Sequence, residues 1–217
     1  MAMTYALRPG LHWREIEDHV FFLDIPADRY FCLKGSAAHA FMAAAHGDMP
    51  SEHGPAARAL LNCGIIRHAR RCEIPPPCSV VGVTSEWPAT RLRLSDIAHG
   101  LVANVTARRR ARMPLQRLIT DMVRRKTDLR PSSSPETDLG EIVAVFRLFD
   151  RVFSGQDQCL PRAAAILGLM LRKGASGDFV IGLSLHPFRA HAWIQVGDRV
   201  VGDRADIVTL YAPILAI

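Results

Sequence analysis

The fold of the C-terminal third is decided by residues 159–203, which read CLPRAAAILGLMLRKGASGDFVIGLSLHPFRAHAWIQVGDRVVGD. Residues 159–172 form a largely apolar run of helical length that ends at Gly174, and this pattern predicts a buried helix. Three runs typical of strands follow, at 179–185, 190–196 and 199–203. A helix followed by antiparallel strands predicts an α+β domain.

A candidate catalytic set lies inside this stretch: Cys159, His191 and Asp203. A thiol attacks a carbonyl carbon as its thiolate, and an ordinary cysteine has a pKa of ~8.5. Cys159 falls in the first turn of its helix, where free backbone N–H groups and the helix dipole favour an anion. His191 is expected to pair with the thiolate, and Asp203 to orient the imidazole. The backbone N–H of Cys159, with Gln156 or Gln158 as a second donor, is expected to bind the oxyanion.

Each member of this set also has a purely structural explanation. Cysteine is common in protein cores, a histidine beside Trp193 fits a buried site, and an aspartate after a glycine fits a turn. The residue types and their order therefore leave a structural role open for all three.

Strand pairing adds a geometric condition to the catalytic interpretation. If Gly197-Asp198 were a two-residue hairpin turn, Asp203 would pair with Ala192 and lie on the opposite face from His191. A three-residue loop, or a bulge near Gly202, would bring the carboxylate onto the face of the imidazole. One of these two irregularities is expected, and the alternative partners are His186 and Asp206.

The first third of the chain predicts a three-stranded antiparallel meander followed by helices. Its strand-like runs are 12–16, 20–25 and 30–33, separated by turn residues. Ser36 is the expected N-cap of a helix that ends near Gly47, and a second helix is expected from Pro55 to Cys63. The stiff segment Pro75-Pro76-Pro77 predicts a boundary between domains at 1–80 and 85–217.

The middle of the chain predicts three helices. The first runs from Asp96 to about Arg108 after a Ser95 cap, and its apolar residues lie on one face: Ile97, Leu101, Val102 and Val105. The second runs over 115–125, with Leu115, Leu118, Ile119 and Met122 at helical spacing. A loop over 130–135 precedes the third, which Thr137 or Asp138 is expected to cap.

The composition is that of an ordinary globular protein, with 49% hydrophobic and 22% charged residues. No apolar run approaches the ~18 to 20 residues of a membrane span, and the N-terminus lacks a secretory pattern. We therefore expect a cytoplasmic protein whose five cysteines are reduced thiols. The spacing of Cys63, Cys72 and Cys78 does not match a zinc site, and no metal is expected.

The chain is basic, with a formal net charge of +6. The excess charge is concentrated in residues 108–112 and 124–126. A basic surface attracts nucleic acid, an acidic peptide or an acidic partner, but such runs are usually solvated helix faces. The charge alone does not name a partner.

Three blocks near the C-terminus resemble a known family. The blocks CLPRAAA at 159–165, PFRAHAWI at 187–194 and GDRVVGD at 197–203 are similar to the transglutaminase-like cysteine peptidases. More narrowly, they resemble the leader peptidases of lasso-peptide biosynthesis, the maturation B proteins, over roughly residues 149–206. This chain has Ala163 where the family's most frequent pattern has serine. The resemblance implies a transglutaminase-like, papain-like domain with Cys159, His191 and Asp203 as its catalytic residues.

The N-terminal region resembles a second element of the same biosynthetic systems. Its strands, with Leu23-Asp24 and Tyr30-Phe31-Cys32-Leu33, are similar to a PqqD-like RiPP precursor-peptide recognition element of winged-helix type. Such elements hold a leader peptide as an added strand on an exposed sheet edge. The resemblance implies that residues 30–33 form the docking edge and that Leu60 and Leu61 line the adjoining groove. An ordinary small core is the structural alternative.

The leading functional hypothesis is a cysteine peptidase that binds and removes the leader of a lasso-peptide precursor. Its implied partners are that precursor and an asparagine-synthetase-like cyclase. The chain has no Walker-type phosphate loop, so no cofactor is expected and any ATP use belongs to the cyclase. One alternative is an acyltransferase or amidase acting on a small molecule. Another is a basic winged-helix-like module that binds nucleic acid without catalysis, although neither nucleic acid nor a membrane is an expected partner.

Overall fold

The computed structural model of the chain describes residues 4–47, 54–69, 71, 73–80, 82–87, 90–129, 135–152 and 158–217. These residues form an α+β protein with an N-terminal antiparallel sheet, seven helices and a C-terminal sheet, so the predicted fold class is confirmed. The strands are β1 Thr4–Leu7, β2 Leu11–Ile16, β3 His19–Asp24, β4 Arg29–Leu33, β5 Ile66–Ala69, β6 Asp178–Leu185, β7 Phe188–Val196, β8 Arg199–Val201 and β9 Ala212–Ala216. The helices are α1 Gly35–His46, α2 Pro55–Asn62, α3 Leu94–Arg110, α4 Leu115–Thr127, α5 Pro135–Val152, α6 Cys159–Arg172 and α7 Ala205–Val208.

The chain divides into two compact units, Met1–Cys78 and Ser79–Ile217. The division falls one residue after the Pro75–Pro77 segment, between Cys78 and Ser79. Within the first unit, the indole Nε1 of Trp13 donates to the Pro75 carbonyl oxygen over 2.8 Å. In the second unit, Trp87 donates to the Val200 carbonyl over 2.7 Å, so the segment after the prolines packs against the C-terminal sheet.

The first unit is built on the meander β2-β3-β4, in which each strand pairs with the next in sequence. Alternation along these strands points one face at α1, where the Phe41 ring lies edge-on to Trp13 and Phe22 at 5.2 and 4.9 Å. Phe31 of β4 stacks on Phe22 at 4.9 Å. The strands β1 and β5 form a separate antiparallel pair that the sequence did not predict as a sheet.

The first helix differs from its prediction only at its start. Helix α1 begins at Gly35, so Ser36 lies inside the first turn and the N-cap is Lys34, whose side chain makes no capping hydrogen bond. The predicted end is confirmed, since Gly47 adopts a left-handed conformation with φ 79°.

The second unit places α6 against a four-stranded antiparallel sheet with the order β8-β7-β6-β9. Helix α6 has the bounds that the sequence predicted, and its buried residues include Ile166, Leu167 and Met170. The C-terminal strand β9 was not predicted. It pairs with β6 at the sheet edge, across a register shift.

Helix α3 buries the face that its hydrophobic pattern did not predict. Leu101, Val102 and Val105 are exposed, and the face packed toward α5 and α6 is made of small residues such as Gly100, Ala103 and Ala107. At Gly100 a Cβ would lie 2.5 Å from a methyl carbon of Val145. The small side chains let α3 approach its neighbours closely, and this close packing outweighs the apolar periodicity.

The other middle helices follow the sequence more closely. The four apolar residues of α4 are buried, as predicted. Helix α5 begins at Pro135, so neither Thr137 nor Asp138 is its cap. Of the predicted loop over 130–135, residues 130–134 lie outside the described residues, and Pro135 is the first residue of α5. Among the helices that the structure describes, none combines the length and apolarity needed to cross a bilayer.

Candidate active site

Cys159 is the first residue of α6, and it is half-buried. Gln158, with φ −115° and ψ 9°, occupies the N-cap position and makes no side-chain capping bond. Pro161 is tolerated in this first turn because the first N–H groups of a helix have no intrahelical partner. The sulfur therefore lies at the end of the helix where unpaired N–H groups favour an anion.

His191 lies on β7, and its Nε2 is 2.8 Å from Oδ2 of Asp203. Both side chains are shielded, with 16% and 17% of their surfaces exposed. The other carboxylate oxygen of Asp203 accepts a 2.7 Å hydrogen bond from the backbone N–H of Arg204. Because Asp203 occupies Nε2, the ring nitrogen left for the hydrogen bond with Cys159 is Nδ1.

Asp203 reaches the imidazole by a route that differs from the predicted one. Val196 pairs with Arg199, so Gly197-Asp198 is a two-residue turn and the loop is not lengthened. The strand β8 ends at Val201 without a bulge. The redirection occurs at Gly202, whose φ of 68° is open to glycine and strained for other residues. Ending the pairing there frees Asp203 from the strand alternation that would have turned it away.

The pKa of the Cys159 thiol is lowered from its ordinary value. Burial is the largest single influence and would raise this pKa. The hydrogen bond and charge of His191, added to backbone hydrogen bonds from Ala192 and Leu160, outweigh the effect of burial. The Leu160 bond follows from the helix terminus, since its N–H is one of the unpaired donors of α6. The contribution of Ala192 was not predicted.

The pKa of His191 is raised to about 9. Burial alone would lower it, but hydrogen bonds and charges from Asp203 and Cys159 overcome that effect. The ring also stacks on Tyr211, with centroids 5.0 Å apart and an interplanar angle of 29°. Together these contacts favour a thiolate–imidazolium pair, the reactive form of a cysteine nucleophile.

The sheet leaves room for this aromatic stack because β6 has a glycine opposite His191. Gly182 pairs with His191 across the strands. A Cβ at Gly182 would lie 2.8 Å from the Trp193 ring and 2.9 Å from Tyr211. Tyr211 was not predicted as a site residue, and its position eight residues beyond Asp203 gives no local signal for that role.

The three residues open onto a cleft of about 360 Å³. Its lining comprises Ser85, Asn104, Arg147, Phe149, Asp150, Gln158, Cys159, Arg162, His191, Gly202, Asp203 and Arg204. Arg108 donates to Oε1 of Gln158 over 2.5 Å, and because a guanidinium has only donors, this contact fixes the amide orientation. The Gln158 NH₂ group is thereby left as a donor. Gln156 lies outside the described residues.

The alternative partners do not occupy the position beside the imidazole. Asp206 is exposed and forms a bidentate pair with Arg204. His186 lies in the turn between β6 and β7. The structure therefore brings Cys159, His191 and Asp203 together, and Asp203 is the carboxylate that contacts the ring.

The residues expected at the leader-docking edge lie on β4. This strand pairs only with β3 among the described residues, so its outer edge carries no strand. Tyr30, Phe31, Cys32 and Leu33 are all half-buried. Leu61 is partly buried against the core, whereas Leu60 is 2% exposed and belongs to the core itself. Leu60 is therefore part of the core beneath the surface beside β4, and it does not line a groove there, contrary to the expectation.

The part of the chain that the structure describes contains no candidate metal site. Within those residues, no group of three or more His, Cys, Asp and Glu side chains is arranged to hold a metal ion. Cys72, one of the cysteines considered for zinc, lies outside them. Cys32, Cys63, Cys78 and Cys159 form no disulfide within the described residues.

A family model described as the transglutaminase-like superfamily matches residues 101–216. This span covers more than half of the chain and contains Cys159, His191 and Asp203. Neither the curated proteins nor the solved structures contain a significant match. The family model indicates a fold of the cysteine-protease or acyltransferase type. The chain therefore belongs to the transglutaminase-like superfamily.

Proposed function

We propose that this protein is a cysteine peptidase that removes the leader from a lasso-peptide precursor. The observation that carries the proposal is the 2.8 Å contact between His191 and Asp203 beside the hydrogen-bonded thiol of Cys159, inside a transglutaminase-like domain. The resemblance of the three sequence blocks to lasso leader peptidases supplies the substrate class. This specific role goes beyond the superfamily assignment.

The site geometry supports an acyl-enzyme mechanism. The Cys159 thiolate attacks the carbonyl carbon that joins leader to core, and the His191 imidazolium donates its proton to the leaving amine of the core peptide. The leader is then held as a thioester on Cys159. His191, now neutral, takes a proton from water as the water attacks the thioester, which releases the leader carboxylate and the thiolate.

Charge that develops on the carbonyl oxygen requires donors that already point at it. The backbone N–H of Cys159 at the start of α6 is the first candidate donor. The NH₂ group of Gln158 is the second, because Arg108 holds the opposite end of that amide. This assignment gives part of the basic run at 108–112 a role in the site.

Leader docking is proposed for the outer edge of β4. Among the described residues no strand covers this edge, so an extended peptide can add to it through main-chain hydrogen bonds, and side-chain pockets then supply selectivity. The half-buried residues 30–33 provide that edge, and Leu61 provides apolar surface beside it. The resemblance of this unit to a PqqD-like recognition element supports the same assignment.

The proposed partners follow from the reaction. Cleavage frees the core amine, which an ATP-dependent, asparagine-synthetase-like cyclase would then join to a side-chain carboxylate of the core. No cofactor is proposed for this chain. The reaction is proposed to take place in the cytoplasm, where the nucleophile stays reduced.

The direct test is cleavage of a lasso-peptide precursor, monitored by mass spectrometry of the intact peptide. The protein is expected to release leader and core at one site, with or without the cyclase present. Cys159→Ala should bind the precursor and leave it uncut, since the small side chain fits the first turn of α6 but removes the nucleophile. Cleavage by Cys159→Ala would sink the assignment of the nucleophile.

A second candidate function is acyl transfer or amide hydrolysis on a small molecule. The 360 Å³ cleft has the size of a small-molecule site, which favours this alternative. Such an enzyme would not need the first unit to bind a leader. A precursor that is neither bound nor cut, combined with acylation of Cys159 by small esters, would support it over the peptidase.

A further inference from the structure

Arg162 connects three elements that meet at the cleft. It lies one turn after Cys159 on α6, and its Nε and Nη2 both donate to the Gly202 carbonyl oxygen, over 3.2 and 2.6 Å. On its other side the guanidinium pairs with the carboxylate of Asp150 on α5, which Nη2 approaches to 2.8 Å and Nη1 also contacts. The same group lies over the Phe146 ring at 5.4 Å.

The carbonyl that Arg162 holds belongs to the residue directly before Asp203. The nucleophile and the guanidinium are on one helix, whereas the carboxylate is on the corner that follows β8. Beyond Val201 this corner has no strand pairing to fix it. The Arg162 bonds therefore tie the corner to the helix that carries Cys159.

We propose that Arg162 is a positioning residue, which holds the Gly202–Asp203 corner against α6 and so sets the distance between carboxylate, imidazole and thiol. It acts through Asp203 and has no chemical step of its own. The inference rests on the proposed function only in taking Cys159, His191 and Asp203 as the reactive set.

The packing around Gly202 supports this role. A Cβ at Gly202 would lie 2.8 Å from the Cδ1 of Ile166, so the corner is seated directly on α6. Ile166 is one turn after Arg162 on the same helix. The corner is thus held from two sides, by close packing on Ile166 and by hydrogen bonds from Arg162.

Arginine suits this position better than lysine would. The planar guanidinium bonds one carbonyl and one carboxylate at the same time, with its face on an aromatic ring. A lysine ammonium can reach a single partner of this kind as a point charge. Replacement by lysine should therefore keep one of the contacts that hold the corner against α6 and lose the others.

The test uses the full-length protein and needs no peptide substrate. Alkylation by iodoacetamide is measured across pH, and the modified cysteines are resolved by mass spectrometry of digests. Exposed Cys63 is the internal reference. In Arg162→Gln, the alkylation rate of Cys159 at pH 6 should fall about tenfold, because losing charged hydrogen bonds weakens the support of the imidazolium. The midpoint of its pH profile should move upward, and Arg162→Lys should give an intermediate profile.

The matched control is Arg172→Gln. Arg172 is on the same helix and also donates to a backbone carbonyl, that of His99 at 3.1 Å, so the charge change and the type of lost bond are alike. Its Cys159 profile should equal that of the unaltered protein. A similar shift in both variants would mean that the loss of positive charge matters and the position does not, which overturns the proposal.

Folding is checked by circular dichroism and thermal unfolding. A folded Arg162→Gln with an unchanged Cys159 profile overturns the proposal. If Arg162→Gln does not fold, the variants Asp150→Asn and Arg162→Lys replace it. An upward shift in the midpoint of Cys159 alkylation in both variants supports the proposal, and an unchanged alkylation profile in both overturns it. Because the readout is thiol reactivity, a failure to cut any precursor would count against the proposed function and leave this inference standing.

Discussion

His191 is the central residue of the candidate site, because its imidazole ring contacts both other members of the catalytic set. Its Nε2 contacts Asp203, its other ring nitrogen forms the hydrogen bond with Cys159, and one ring face stacks on Tyr211. Three contacts fix the position and the rotation of a ring that would otherwise have two free torsions. The charged form of the ring is favoured by the same partners that orient it.

The protonation of this pair predicts a window of reactivity. The lowered pKa of Cys159 keeps the thiolate at pH values where an ordinary cysteine is protonated. The raised pKa of His191, about 9, keeps the imidazolium that donates the proton until the pH passes that value. Peptide cleavage should therefore be high around pH 7, fall above about pH 9 and fall again in acid. The pH profile of kcat/KM checks this, and activity that keeps rising to pH 11 would contradict it.

The carboxylate partner predicts a second result at the residue scale. Asp203→Asn removes the charge that favours the imidazolium, so cleavage should fall by about 10²- to 10⁴-fold and the pKa of His191 should drop. Kinetics of precursor cleavage and NMR titration of the imidazole measure the two effects. The control is Asp206→Asn, which alters an exposed carboxylate paired with Arg204 and should leave both unchanged. The reverse order of effects would move the third role to Asp206.

At the scale of elements, the site is assembled where α6, β7 and the corner after β8 meet. Helix α6 supplies the nucleophile, β7 the imidazole, and the corner the carboxylate. The end of pairing at Val201 is as important as the pairing itself, because a strand that continued would turn Asp203 away. Gly202 makes that end possible.

Gly202→Ala tests this element-scale role, and Gly197→Ala is its matched control. Both positions have positive φ, 68° and 60°, so both variants should lose about 1–2 kcal/mol of unfolding free energy through backbone strain. A Cβ meets Ile166 at Gly202 and meets nothing within 4 Å at Gly197. Gly202→Ala should therefore lose about 1–3 kcal/mol more and slow cleavage strongly. Urea unfolding and cleavage assays compare the pair, and equal losses in both measurements would contradict the role of the close approach.

At the scale of the whole molecule, proposed docking and proposed chemistry belong to different compact units. The edge strand β4 is in the first unit, and the Cys159 cleft is in the second. If the proposal holds, binding of a leader to the first unit would raise the effective concentration of the scissile bond at the second. Docking defects should therefore be overcome by precursor concentration, whereas defects in the reactive set should not.

Leu61→Asp should weaken leader binding and slow cleavage at low precursor concentration, with recovery at saturation. The added charge falls on the partly buried surface beside the core of the first unit. The control Ala59→Asp places the same charge on an exposed position of the same helix and should behave as the unaltered protein. Fluorescence anisotropy with a labelled leader, in a Cys159→Ala background, gives the affinity directly. Unchanged affinity in Leu61→Asp would remove that surface from the docking proposal.

The sequence by itself determined the features that local patterns encode. The helix α6 and its end at Gly174 follow from apolar periodicity and a glycine stop, and the meander follows from alternating runs between turns. Residue types also made Cys159, His191 and Asp203 candidates, and the resemblance of their three sequence blocks to transglutaminase-like peptidases selected them. These signals lie within a few residues of one another, or in short blocks, and so can be found along the chain.

Only the tertiary structure decided which surfaces approach and how closely. The small-residue face of α3 is buried because Gly100 lets the helix approach Val145, a match of volumes between residues far apart in sequence. Three contacts of the site depend in the same way on residues distant in sequence. They are the close packing of Gly202 on Ile166, the hydrogen bonds from Arg162 to Gly202, and the stacking of Tyr211 on His191. Periodicity records which residues are apolar, whereas close packing selects among the surfaces that the apolar pattern leaves possible.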